Sequence, residues 1–225
     1  MSAHQTTSEK LAATATREPA PLTPKTKYLI SYNLISAGLW IALLHRVISE
    51  SLLKGHPHQL YDITGTYARW VQTVALLEVG HSLFGIVRAP LFTTGLQVLS
   101  RVVLIWGIVE NFPVEREVAY STMLFAWSVT EVVRYSYFVL SLTGSVPDGL
   151  VWLRYNLFFV LYPLGIGSEV WLVFKSIPAA SKQNPLLGYA LMAIMGIYVP
   201  GSYVLYTHMM AQRRRVMRGK QRAKE

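Results

Sequence analysis

Carboxyl, guanidinium, imidazole and phenol side chains fall inside stretches of this chain that are otherwise apolar enough for lipid. Glu78 and His81 lie three apart in one stretch, and Glu131, Arg134 and Tyr135 share a turn in another. Arg154, Tyr155, Tyr162 and Glu169 run along a third. An ionisable group within a membrane span costs about 2.5–3.5 kcal/mol on insertion scales, so each is a candidate for function. On a wheel of about 100° per residue, Arg154, Tyr155, Phe158, Tyr162 and Glu169 occupy one arc of about 100°. Such a stripe must face protein or a water-lined cavity, since a carboxylate facing lipid would stand unpaired. Burial is how a carboxyl group becomes a usable proton donor or acceptor near neutrality, and a tyrosine can be its donor partner.

Each residue also has a plainer role open to it. Glu131 and Arg134 can neutralise one another as interhelical glue, Glu78 and His81 can be a polar packing pair, and Arg154 can snorkel to the interface. Tyr135, Tyr137 and most of the tryptophans can be interfacial or packing residues. Glu169 fits none of these, because no basic residue lies one turn away from it.

Several chemistries are excluded by what the chain lacks. With no cysteine there is no thiolate nucleophile and no cysteine-ligated zinc. The six histidines, at 4, 45, 56, 58, 81 and 208, are scattered rather than clustered as metal ligands. Gly165 and Gly167 lack the third glycine of a nucleotide-binding loop. Acid-base chemistry without a cofactor or metal remains.

The elements that must position these groups are membrane helices. Hydrophobic residues make up 52% of the 225 and charged residues only 15%, against about 25% in soluble domains. The apolar blocks predict six spans, near 28–48, 67–87, 91–110, 118–140, 151–174 and 185–207. Breaks are expected at Lys54 to Pro57, Ala89-Pro90, Asn111 to Pro113, Gly144 to Gly149 and Pro178 to Pro185. The formal charge of +9 argues for membrane orientation rather than nucleic acid, because the basic residues gather in the tails. Basic residues before the first span and after the last put both termini in the cytosol, which requires an even number of spans. The expected fold is therefore all-α, a polytopic bundle of six transmembrane helices. Residues 1–24 form a disordered cytosolic tail, 25–210 the six-helix catalytic domain, and 211–225 a basic cytosolic tail.

At Tyr162-Pro163-Leu164-Gly165-Ile166-Gly167-Ser168-Glu169 the chain resembles the very-long-chain 3-hydroxyacyl-CoA dehydratases, the Pasticcino-type or protein-tyrosine-phosphatase-like family. Tyr32-Asn33, Leu77-Glu78 with His81, Ser100-Arg101, Trp127-Ser128, Thr130-Glu131, Arg134-Tyr135, Leu153-Arg154-Tyr155 and Tyr198-Val199-Pro200-Gly201 resemble the same family's pattern, most closely its plant branch. The resemblance implies that Tyr162 and Glu169 are the catalytic pair, with Arg154, Tyr155, Glu131, Arg134, Glu78 and His81 binding substrate or supporting the site. It further implies a multi-pass enzyme of the endoplasmic reticulum membrane. That enzyme would dehydrate a 3-hydroxyacyl-CoA to the trans-2-enoyl-CoA, the third step of fatty acid elongation. Its partners would be the condensing enzyme, the ketoacyl-CoA reductase, the enoyl-CoA reductase and membrane lipid. The phosphatase-like name implies no phosphatase chemistry here, because that needs a thiol.

Dehydration requires removal of a proton from C2 and protonation of the hydroxyl leaving C3. Glu169 and Tyr162 are expected to take one task each, with Glu169 favoured as the base, either able to act through the other and the division between them left open. A straight helix would separate them by about 10 Å along its axis, so Pro163 is expected to kink the helix beside Tyr162. Arg154, Arg88 and the basic tails are expected partners for the CoA phosphates. The competing readings are a catalytically silent scaffold of the elongation enzymes and a small lipid or proton-coupled transporter.

Overall fold

The computed structural model describes residues 22–114 and 116–222, and every regular element among them is helical. Helix α1 spans Pro24–Val47 and widens into a π-helical turn over Ile48–Leu53. Helices α2 (Leu60–Val74) and α3 (Leu76–Leu83) meet at Ala75, and α4 (Leu91–Val102) continues as a π-helix over Val103–Val109. The rest is α5 (Val118–Thr143), α6 (Asp148–Asn156), α7 (Phe158–Gln183) and α8 (Pro185–Arg222).

Local chemistry explains the ends. Thr23 caps α1 by accepting the Thr26 amide at 3.2 Å, with Pro24 at the first helical position where its missing N–H costs nothing. Gly144 ends α5 in the left-handed region at φ +86°, which a side chain would resist. The Asn184 side chain accepts the Leu186 amide at 2.9 Å, so α7 and α8 are separated by one residue.

Four segments are long and apolar enough to cross a membrane: Pro24–Leu53, Leu91–Val109, Asp148–Gln183 and Pro185–Gly219. The chain is thus an all-helical, multi-pass membrane protein. Large apolar side chains that stay more than half exposed, among them Ile35, Phe92, Val160, Ile197 and Val199, form the surface that lipid covers. Two further helical rods are less apolar. Helix α5 is 26 residues long, about 39 Å, but Glu131 and Arg134 dilute its apolarity. The α2–α3 rod is interrupted at Ala75, whose amide reaches back to Gln72 in a tightened turn.

Several expected boundaries move. The second rod begins at Leu60 rather than 67 and ends at Leu83, where Phe84 to Pro90 leave the helix. The break expected from Pro178 shrinks to Asn184, because α7 runs through Pro178 to Gln183. A proline forfeits one backbone bond and crowds the preceding turn, which a helix packed on both sides can absorb. The last helix continues past 207 to Arg222. Of the expected N-terminal tail, residues 1–21 lie outside the described residues.

Helix α5 is the axis of the bundle. It packs against α1 on one side and α7 on the other, and α8 lies against α7. Trp127, Tyr120, Tyr135, Met123 and Leu124 of α5 are fully buried with Leu43 of α1 and Leu172 of α7. The site is built on this axis.

Candidate active site

Four of the polar residues of the apolar stretches meet around α5. Arg134 donates twice to Glu78 of α3, Nη1 to Oε2 and Nη2 to Oε1, each at 2.8 Å. Its Nε donates to Glu131 Oε2 at 2.5 Å, and Arg101 of α4 donates from Nη1 to the other oxygen, Oε1, at 2.6 Å. Tyr135 donates to Glu78 Oε1 at 2.5 Å, with Tyr32 of α1 more distant at 3.4 Å. Two carboxylates face two guanidiniums, so the cluster is formally neutral, and Glu131 is only 2% exposed. Bidentate, charge-assisted bonds of this kind fix geometry as well as charge. They clamp α3, α4 and α5 in one register.

Glu78 and His81 do not pair with each other. The helical spacing puts both on the inner side of α3, but Glu78 turns to Arg134 while His81 Nε2 bonds the Tyr28 hydroxyl at 2.8 Å and its ring meets Tyr32 edge-on.

The charge cluster reaches Glu169 through an aromatic ring. The Arg101 guanidinium lies 4.8 Å over the Trp127 ring, and the Trp127 indole Nε1–H donates to Glu169 Oε1 at 2.8 Å. The second oxygen, Oε2, accepts the Tyr198 hydroxyl of α8 at 3.0 Å. Glu169 is 9% exposed and, among the described residues, carries no ion pair. Its two partners are neutral donors. α7 comes close to α5 one turn earlier at Gly165, where an added Cβ would sit 3.7 Å from Ala126 Cβ and 4.0 Å from Trp127 Cδ1. A bond of 2.7 Å between Ser168 and Thr122 holds the two helices together beside it.

Tyr162 does not touch Glu169. Its hydroxyl donates to the Ser202 carbonyl of α8 at 3.0 Å, and its ring lies against Tyr206 at 5.9 Å. Ser202 in turn donates from Oγ to the Tyr198 carbonyl at 2.5 Å. The partner of each residue of the pair is therefore on α8, four residues apart.

Pro163 lies inside α7, and the interruption ahead of it, at Leu157 between α6 with Arg154 and Tyr155 and α7 with Tyr162 and Glu169, is slight. Leu157 keeps right-handed helical geometry and its amide still bonds the Leu153 carbonyl at 3.0 Å, so α6 and α7 run on as one rod. Arg154 lies 5.7 Å from the Tyr155 ring and 6.0 Å from Phe138, and Tyr155 meets Tyr137 edge-on at 6.0 Å. Neither residue bonds to the Glu169 group. Nearby, Arg213 of α8 donates to Asn156 at 2.8 Å and covers Phe159.

Trp127, Tyr198, Ser202 and Arg101 were not singled out by composition or spacing. Trp127 had a signal, because a tryptophan in mid-span lies too deep for an interfacial belt. Tyr198 had another, two residues before Pro200, whose missing N–H loosens the α8 turn that carries it.

A family profile described as protein tyrosine phosphatase-like protein, PTPLA, matches residues 72–219. A Schizosaccharomyces pombe protein named probable very-long-chain (3R)-3-hydroxyacyl-CoA dehydratase is 43% identical over 85% of this chain and 93% of its own length. The Oryza sativa dehydratase PASTICCINO 2B is 36% identical over 84% of this chain and 92% of its own. Mus musculus very-long-chain (3R)-3-hydroxyacyl-CoA dehydratase 1 is 34% identical over 86% and 74%. No solved structure matches the chain.

Proposed function

The chain belongs to the protein tyrosine phosphatase-like (PTPLA) family of very-long-chain (3R)-3-hydroxyacyl-CoA dehydratases, and from that membership we propose that it dehydrates a long-chain 3-hydroxyacyl-CoA within the membrane. The observation that carries the reading is Glu169. It is a buried carboxyl group held on both oxygens by neutral donors and, among the described residues, hydrogen-bonded to no guanidinium. A carboxylate already locked to arginine makes a poor base, whereas this one can exchange a proton.

Glu169 removes the C2 proton of the substrate, the C3–O bond breaks, and Tyr162, about 10 Å along α7 from Glu169, relays its proton through an intervening water molecule to the departing hydroxyl, which leaves as water. The carboxyl then returns its proton to the phenolate, by way of water, for the next turnover. Atoms balance: one 3-hydroxyacyl-CoA yields one trans-2-enoyl-CoA and one water. The acyl chain lies among the apolar faces of the bundle. The CoA phosphates sit at the end of α8, where Arg214, Arg215 and Arg218 border a surface hollow of about 500 Å³ and Arg213 bonds Asn156 of α6.

The same reading makes this the third step of the elongation cycle at the endoplasmic reticulum. The condensing enzyme, ketoacyl-CoA reductase and enoyl-CoA reductase are its partners. Six crossings with both termini cytosolic fit the six rods and the basic ends.

Purified protein given a long-chain (3R)-3-hydroxyacyl-CoA should form the enoyl product. Glu169→Gln and Tyr162→Phe should each slow it by at least about 100-fold, the lower range for a lost acid or base. Either variant turning over at the wild-type rate would remove that residue from the chemistry.

A further inference from the structure

We propose that Tyr198 is a positioning residue of this site, holding the Glu169 carboxyl group from the neighbouring helix and tying it to Tyr162 through Ser202. The inference rests on the dehydratase reading.

Tyr162 and Glu169 lie two turns apart on α7, and they do not bond to one another. Left to α7 alone, each side chain could swing independently. α8 supplies what α7 cannot. Tyr198 donates to Glu169 Oε2 and Ser202 accepts from Tyr162, while Ser202 Oγ bonds back to the Tyr198 carbonyl within the same turn. One turn of α8 therefore links both members of the pair.

The Glu169 end is the better defined. A carboxyl group gripped on one oxygen still rotates about its last torsion, which is broad and roughly two-fold. Gripped on both, by the Trp127 indole and the Tyr198 hydroxyl, its plane is set. Trp127 is itself fixed beneath Arg101, so Tyr198 is the one holder of Glu169 that comes from α8. Pro200 and Gly201 lie between Tyr198 and Ser202. Pro200 has no N–H to give to the Gly196 carbonyl, so one helical bond is missing in the turn that carries Tyr198. A base aligned on its proton needs such restraint, since small misplacements cost large factors in rate.

Tyr198→Phe keeps the ring and removes the bond. Wild type, Tyr198→Phe, Glu169→Gln and the double variant are compared in detergent across a range of long-chain (3R)-3-hydroxyacyl-CoA concentrations. Losing a hydrogen bond to a charged group predicts a fall in kcat of about 10- to 100-fold, with KM changed by less than about threefold. Because Tyr198 acts through Glu169, adding Tyr198→Phe to Glu169→Gln should cost less than about threefold more. Unchanged kcat, a rise confined to KM, or a full multiplicative loss in the double variant would overturn the proposal. So would a Tyr198→Phe protein that no longer runs as a single species in size-exclusion chromatography, since the hydroxyl would then serve the fold. An inactive wild type would instead overturn the dehydratase reading, and this inference with it.

Discussion

Replacing Glu131 by glutamine tests the charge cluster at its centre. Both Glu131 oxygens accept, one from Arg101 at 2.6 Å and one from Arg134 at 2.5 Å. A glutamine has one oxygen and one NH2 group, so whichever way the amide is turned, a donor faces a guanidinium. The substitution also leaves two guanidiniums against Glu78 alone. The side chains involved are 3%, 14% and 16% exposed, too little for water to replace what is lost. Breaking a buried pair from one side costs about 3–5 kcal/mol. At about 2–4 °C per kcal/mol for a chain of this size, melting in detergent should fall by about 6–20 °C. The control is Glu117→Gln, whose partner Lys175 stands 3.6 Å away with 42% of its side chain exposed. That change should shift stability by no more than about 1 kcal/mol. Glu131→Gln melting within about 2 °C of wild type would refute the reasoning, because it would mean the cluster is hydrated or dispensable.

Gly165 offers a graded test of the approach between α5 and α7. Alanine finds ordinary contacts at 3.7 and 4.0 Å and should be tolerated, whereas leucine must displace Trp127 from Glu169 and should abolish turnover in an activity assay. Topology is tested by protease protection of tags at each end in sealed microsomes. Both should be cleaved from the cytosolic face, and protection of only one would mean an odd number of crossings.

The rods and the breaks between them were largely legible, because length and apolarity follow from lipid thickness and from Pro, Gly and Asn at the ends. The pairing of Glu131 with Arg134 was legible from their spacing of three on one helix, whereas that of Glu78 with Arg134 was not. Nothing in the spacing of Glu78 and His81 says that one turns to Arg134 and the other to Tyr28. The slight interruption at Leu157, between α6 and α7, carries no glycine or proline of its own. Tyr198 stood out as part of a family-like motif, but its pairing with Glu169 did not, because pairing between helices depends on rotation and depth, which one helix's periodicity does not contain.

Placement of charge explains how one bundle can be both rigid and reactive. In lipid, helices gain little from burying apolar faces against each other, so polar bonds must set their register. Here the strongest bonds, among Glu78, Arg134, Glu131 and Arg101, satisfy one another and leave no formal charge over. Arg101 then meets the next layer through the face of Trp127 rather than through a carboxylate. The indole therefore spaces the arginine from Glu169, donating one neutral bond where a direct contact would have paired the acid permanently. Had arginine and Glu169 met directly, the fold would gain an ion pair and lose a group able to move a proton. The prediction contained in this arrangement is that Trp127 acts on rate through Glu169 and on stability through Arg101, the two effects meeting in one side chain.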